Sequence, residues 1–402
     1  MKLRIERDAL AEAVGWAARA LPARPVVPIL AGMLLDASDE RVTLSCFDYE
    51  VSARVRASAE IAEPGAVLVP GRLLADIARS LPDKPVELAD DASTGSLGLT
   101  CGSAEFTLLT FPAGEYPELP GQPPAAGVLD GGELAAAVAQ VAPAAGRDDT
   151  LPMLTGVFAE IDGEKITLAA TDRYRLAVRE LGWRPARADL RASVLVPART
   201  LAEAAKTMTA GTEIALALAG VQGTGGSEPG GEDTGSDAHR EGAGDDLARG
   251  PGGGMIGFEG GGRRLTTRLL GTEFVPYRSR FPTEFGGRAR VQPGSFAEAV
   301  RRVSLVADRQ TRLLLTFRRG RVVIEAGSGD GARAVEEAEA RFDGADGFSI
   351  GFNPQYLLDG IAAAGAGSAA AEAVTLAFTT PEKPAVISGG PGFRYLIAPM
   401  RG

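Results

Sequence analysis

Apolar and polar positions along this chain fall into a phrase that returns. Residues 67–77, VLVPGRLLADI, read as a short apolar strand, a proline-bearing turn and an amphipathic helix. Residues 194–204, VLVPARTLAEA, repeat that phrase 127 positions later (194 − 67). A weaker third copy, SIGFNPQYLLDGI at 349–361, makes Asp76, Glu203 and Asp359 equivalent positions. Each copy is preceded by another helix pattern: Leu10, Val14 and Ala17, then Leu134, Val138 and Val141, then Phe296, Val300 and Val303, at the spacing that packs one helix face. Repetition on this scale points to a quasi-symmetric scaffold and away from a single-pocket enzyme.

Between the two helices of each copy the period shortens to two. Val42 and Leu44, Ile166 and Leu168, and Val322 and Ile324 alternate beside turns near Asp39, at Asp162-Gly163 and at Arg319-Gly320, as in hairpins with one face on a core. Each unit therefore reads as two helices on one side of an antiparallel sheet, an α+β arrangement. The aromatic and proline-bearing connectors at 107–120 and 266–282 set the expected domains at 1–120, 121–282 and 283–402. The third copy arrives late because a glycine-rich polar stretch at about 220–254, of the kind that cannot build a core, is inserted between two strands of the middle domain.

Charge changes the picture more than composition does. Forty-two Lys and Arg against 52 Asp and Glu give a net charge of −10, so any grip on nucleic acid depends on where the positive charges sit. Arg72 and Arg79 share one face of the helix in the first copy, and Arg199 and Lys206 recur at the same places in the second. Arg19, Arg24, Arg147, Arg301, Arg302 and Arg309 lie on or near the first helices, a pattern suited to tracking phosphates. The third copy departs, with Gln355 and Ala362.

Catalytic chemistry finds little support. The single histidine, His239, lies inside the insertion, and GGGMIG at 252–257 matches a dinucleotide fingerprint without the strand and helix it requires. Glu336, Glu337 and Glu339 suit a solvated strand face better than a metal site. Cys46 and Cys101 form neither a zinc motif nor a disulfide framework. No cofactor or metal is expected. The amphipathic N-terminus and the lack of a long apolar run point to a soluble, cytoplasmic protein.

Five segments, RPVVPIL at 24–30, LLTFPAGEYPEL at 108–119, ATDRYRLAV at 170–178, IGFNPQYLLD at 350–359 and YLIAPMRG at 395–402, together resemble the bacterial sliding clamps, the β subunits of DNA polymerase III. The resemblance covers essentially the whole chain outside the insertion. It implies a head-to-tail homodimer whose three clamp domains per chain close a ring around double-stranded DNA, with Arg24, Arg72, Arg79, Arg147, Arg199 and Lys206 toward the DNA. It also implies a dimer joint at Phe106, Leu108, Leu305 and Val306. The polymerase III α subunit, the clamp loader, other polymerases and repair proteins would insert short linear motifs into a pocket walled by Leu154, Thr171, Arg173, Tyr174, Arg175, Leu176, Val275, Tyr277, Asn353, Tyr356, Leu396, Ala398, Pro399, Met400 and Arg401.

Some of these positions depart from the family pattern. Arg173 stands where the resemblance leads one to expect glycine, Tyr174 where it expects histidine, and Ala398 where it expects methionine. Cyclic peptides of the griselimycin type target this pocket in actinobacterial clamps, so a second clamp that tolerates such an antibiotic is the alternative reading. Two others remain in view: a clamp-like protein that binds a partner without loading on DNA, and an enzyme on a repeated scaffold, which would need a convergent carboxylate or metal site.

Overall fold

In the computed structural model, residues 1–91, 93–208, 213–220, 254–307, 311–327, 331–366 and 373–400 are described. The bulk of the insertion, His239, Arg309 and Arg401 lie outside them. All three copies of the repeated phrase form strand-turn-helix: Gly65–Pro70 into Gly71–Ser80, Arg191–Pro197 into Ala198–Thr207, and Phe348–Phe352 into Pro354–Gly365. The first helices are Arg7–Ala17, Gly131–Val141 and Pro293–Ser304. Leu10, Leu134 and Phe296, aligned by the pattern, are all buried.

The hairpins form where alternation placed them. Gly32–Ser38 pairs with Arg41–Phe47, Gly156–Asp162 with Lys165–Thr171, and Leu313–Arg318 with Arg321–Gly327, all antiparallel. Their turns need left-handed backbone, supplied by Asp39 and Glu40 in the first, Gly163 (φ 57°) in the second and Gly320 (φ 83°) in the third. Of the sequence 252–257, the residues from Met255 on belong to the strand Met255–Gly260.

Contacts divide the chain into two units. One comprises Met1–Gly131 with Lys206–Gly220 and residues 254–269. Its first sheet runs Glu60–Glu63, Lys2–Ile5, Val86–Asp91, Ser96–Cys101, Ala104–Leu109 in spatial order. A second contains eight consecutive strands in the order Ala125–Asp130, Glu213–Ala219, Met255–Gly260, Arg263–Arg268, Val51–Ser58, Arg41–Phe47, Gly32–Ser38, Gly65–Pro70. Here the insertion's two ends meet: Ala219 stands opposite Met255 in an antiparallel pair. Arg7–Ala17 packs on Gly71–Ser80 and on the strands behind it, burying Leu10, Val14, Leu74 and Ile77.

The other unit comprises Gly132–Ala205 and the chain from Leu270 onward. Twelve strands form one continuous antiparallel order, in which the fourth, Arg175–Gly182 of the second copy, pairs with the fifth, Phe393–Ile397 of the third. Helices Pro293–Ser304 and Pro354–Gly365 pack together and on these strands. The second helix comes so close that a Cβ added at Gly360 would lie 2.6 Å from the Tyr395 ring, which excludes any larger residue there.

Candidate functional site

The turn between Lys165–Thr171 and Arg175–Gly182 is built on one aspartate. Asp172 Oδ1 accepts the N–H groups of Tyr174 and Arg175, both at 3.0 Å. The Thr171 hydroxyl donates to the Arg175 carbonyl at 2.6 Å and accepts the Arg173 N–H at 3.2 Å. This holds Arg173 at φ 81°, the left-handed region that a side chain disfavours, so a glycine would fit here with less strain. The first copy contains the same device: Asp48 Oδ1 accepts from Glu50 and Val51 at 3.0 and 2.6 Å, and Tyr49 takes φ 73°.

Arg175 then turns inward. Its Nε donates to Asp172 Oδ2 at 2.9 Å, its Nη1 donates to Asp359, and its guanidinium lies 4.4 Å from the centre of the Tyr356 ring. Tyr174, exposed, stacks on the other ring neighbour: the Tyr174 and Tyr356 centroids are 6.4 Å apart with planes at 27°. Burial alone would lower the Arg175 pKa, but the Tyr395 hydroxyl and the Asp359 and Asp172 carboxylates outweigh it and hold the charge. Asn353 caps the helix Pro354–Gly365 by accepting the Tyr356 N–H at 3.1 Å, and Tyr395 donates to the Tyr356 carbonyl at 2.9 Å.

Beneath this rim the packing is apolar. Leu176 and Leu396 are paired across adjacent strands, and Leu176 joins Ala169, Val178, Tyr277, Phe281 and Val386 in a buried cluster with Phe158, Phe274, Phe285 and Leu396 at its edge. Phe158 and Phe274 stack at 5.0 Å. Tyr277 is buried with its hydroxyl donating to Glu160 at 2.7 Å, an acceptor it shares with Arg278. Burial, and then the Glu160 carboxylate, push that phenol above its ordinary range. The C-terminal tail closes one side, the Ala398 N–H donating to the Tyr174 carbonyl and the Met400 N–H to the Gly351 carbonyl, both at 2.8 Å.

Fourteen of the fifteen pocket positions named from the sequence lie among the described residues: Thr171, Arg173, Tyr174, Arg175, Leu176, Tyr277, Asn353, Tyr356, Leu396, Ala398 and Met400 in the network just described, Leu154 buried against Gly146, Val275 half-buried beside Phe274, and Pro399. Pro399 is half-buried between Ala398 and Met400; Arg401 lies outside the described residues. Sequence reasoning missed Asp359 as the partner of Arg175, although the repeat had marked it, and missed Glu160 altogether.

The other sequence-named residues divide. Arg24, Arg72, Arg79, Arg147, Arg199 and Lys206 are all exposed. Arg72 also donates to the carbonyls of Leu21 and Pro22, at 3.2 and 3.1 Å, and Arg79 pairs with Asp76 at 3.4 Å. Arg302 is tied to Glu336, and Arg321 to Glu337, which accounts for two of the three strand acids as ion pairs. Leu305 is 85% exposed, Val306 and Phe106 are half-buried. Leu108, on an edge strand, is 1% exposed within its own chain, and its neighbour Leu109, on the other face of that strand, is 73% exposed.

The chain is thus a repeated helix-and-sheet scaffold in which two copies share one sheet, with an exposed aromatic pair beside that junction. Three family models match in order: DNA polymerase III beta subunit, N-terminal domain at residues 1–120, central domain at 128–276, and C-terminal domain at 278–401. The chain belongs to this family, the DNA sliding clamps, which are non-catalytic processivity factors that tether the polymerase in DNA replication. It is 50% identical to the beta sliding clamp of Streptomyces coelicolor, over 100% of this chain and 99% of that protein. It is 40% identical to the beta sliding clamp homolog GriR of Streptomyces muensis, with the same coverage. Among solved structures, a Pseudomonas aeruginosa sliding clamp bound to griselimycin matches with a TM-score of 0.83 at 24% identity, covering 100% of both chains.

Proposed function

We propose that two copies join head to tail, through the strand that carries Phe106 and Leu108 in one protomer and through Leu305 and Val306 of the other, to close a ring of six repeats around duplex DNA in the cytoplasm. The domains of that ring are 1–120, 121–282 and 283–402. Exposed Arg24, Arg72, Arg79, Arg147, Arg199 and Lys206 face the phosphates, and a modest positive lining suffices because a ring holds DNA topologically. The α subunit of DNA polymerase III, the clamp loader, other polymerases and repair proteins dock short linear motifs in the groove. The observation that carries this reading is the exposed Tyr174 ring, stacked on Tyr356 next to a C-terminal tail whose Leu396, Ala398 and Met400 are half-buried: apolar surface with a few fixed polar groups suits the anchor side chains of a peptide. Retention on nicked circular DNA after treatment with clamp loader and ATP, and release on linearisation, tests the ring; retention after linearisation overturns it.

A second reading is favoured by one observation. Arg173 keeps a left-handed φ at a position suited to glycine, placing a charged side chain at the groove's mouth, while Ala398 leaves the facing tail small. A clamp so altered admits linear peptides and tolerates a cyclic peptide inhibitor, in keeping with its 40% identity to GriR. Calorimetry with griselimycin decides it: tighter binding to Arg173→Gly with Ala398→Met supports tolerance, and equal binding removes it.

A further inference from the structure

We infer that Asp359, which is not part of the groove wall, is the positioning residue that sets the groove's aromatic rim by holding Arg175 beneath Tyr356; this rests on the peptide-groove reading above. The equivalent acid of the first copy, Asp76, pairs along its own helix with Arg79, both side chains largely exposed. Asp359 instead reaches off its helix to Arg175, whose side chain is 8% exposed. Its second oxygen is fixed as well, since Gln355 Nε2 donates to Asp359 Oδ1 at 2.7 Å. Asp359 on Nη1, with Asp172 on Nε at 2.9 Å, therefore anchors the guanidinium that supports the Tyr356 ring, on which Tyr174 stacks, and of the two only Asp359 comes from the helix that carries Tyr356.

The third copy's departure from the basic pattern acquires a reason here. Arg72 and Arg199 occupy in the first two copies the place of Gln355, four residues before the acid. On a helix that spacing brings the two side chains together. An arginine at 355 would compete with Arg175 for Asp359, whereas the neutral amide orients the carboxylate and leaves its charge for Arg175. Gln355 is exposed, so its replacement perturbs no core.

The test is peptide affinity by calorimetry on the full chain, using a peptide copied from the clamp-binding motif of the DNA polymerase III α subunit, with thermal melting followed in parallel. Asp359→Asn should weaken binding roughly tenfold, and Gln355→Arg should weaken it by a few-fold, within the range of coupled neighbours. In a Tyr356→Ala background both effects should vanish, because the ring they position is gone. Equal losses in both backgrounds would mean that Asp359 acts only on overall stability, and no loss in either would mean that it does not act on the groove; both overturn the inference. Met400→Ala is the control for the groove itself. If that change also leaves affinity untouched, the groove reading fails and the inference falls with it.

Discussion

Tyr49 and Arg173 stand at the same point of two copies of one turn, both with left-handed backbone, at φ 73° and 81°. In each, an aspartate one residue earlier accepts the two N–H groups that follow. The strain belongs to the repeat's geometry and is not a local accident of the groove.

Replacing Arg173 by glycine should therefore raise stability, by up to ~1 kcal/mol, the relief of the left-handed cost less the added freedom of the unfolded chain. Urea unfolding reads this directly. A decrease would show that the Arg173 side chain contributes more to the fold than its backbone loses.

Met400→Ala should weaken peptide binding by roughly 1–3 kcal/mol through lost anchor burial. Leu176→Ala is a less clean probe. Its side chain is already in the core of its unit, so truncation should also cost about 2–5 kcal/mol of stability. Calorimetry beside thermal melting separates the two: loss of affinity without loss of melting temperature is expected for Met400→Ala only.

Leu305→Asp should yield folded monomers, because it places a charge on a residue exposed in the isolated chain and apolar in the proposed joint. Leu108→Asp should instead unfold the first domain, burying a carboxylate without a partner. Sedimentation velocity and circular dichroism distinguish these outcomes. Folded dimers for Leu305→Asp would remove the proposed joint.

Joint replacement of Arg79, Arg199 and Lys206 by glutamate should reduce loading on circular DNA and make it more sensitive to salt, with the melting temperature nearly unchanged, since all three are exposed. Arg72 is left out because it also holds the Leu21 and Pro22 carbonyls. Loading equal to wild type at every salt concentration would take these residues off the DNA face.

Deleting residues 222–252 should leave dimerisation and loading intact. Ala219 and Met255 already face each other across paired strands, so a short turn can join them, and the shorter connection lowers closure cost by no more than about 2 kcal/mol. Monomers after the deletion would contradict this.

Much of the fold was legible because period 3.6 and period 2 alternate in three copies, and each copy checks the others: Leu10, Leu134 and Phe296 were placed on buried faces by alignment alone. Strand alternation puts Phe106 and Leu108 on one face without saying how far that face is covered, and the depth of Leu108, 1% exposed, was not legible from it. The groove's lining came from resemblance, but its support did not. Asp359 reaches Arg175 across 184 positions of sequence, and Glu160 reaches Tyr277 across 117, distances over which no local pattern carries information.

The tail that flanks the groove continues directly from the strand Phe393–Ile397, which is hydrogen-bonded along both edges, to Arg175–Gly182 and to Ala385–Ser388. A partner anchored there and pulled by a moving polymerase would load those ladders lengthwise, so that many bonds share the force at once instead of opening one after another. The mechanical weak point of such a tether is then the few side-chain contacts of the docked peptide, and under drag the partner should slip free before the clamp deforms.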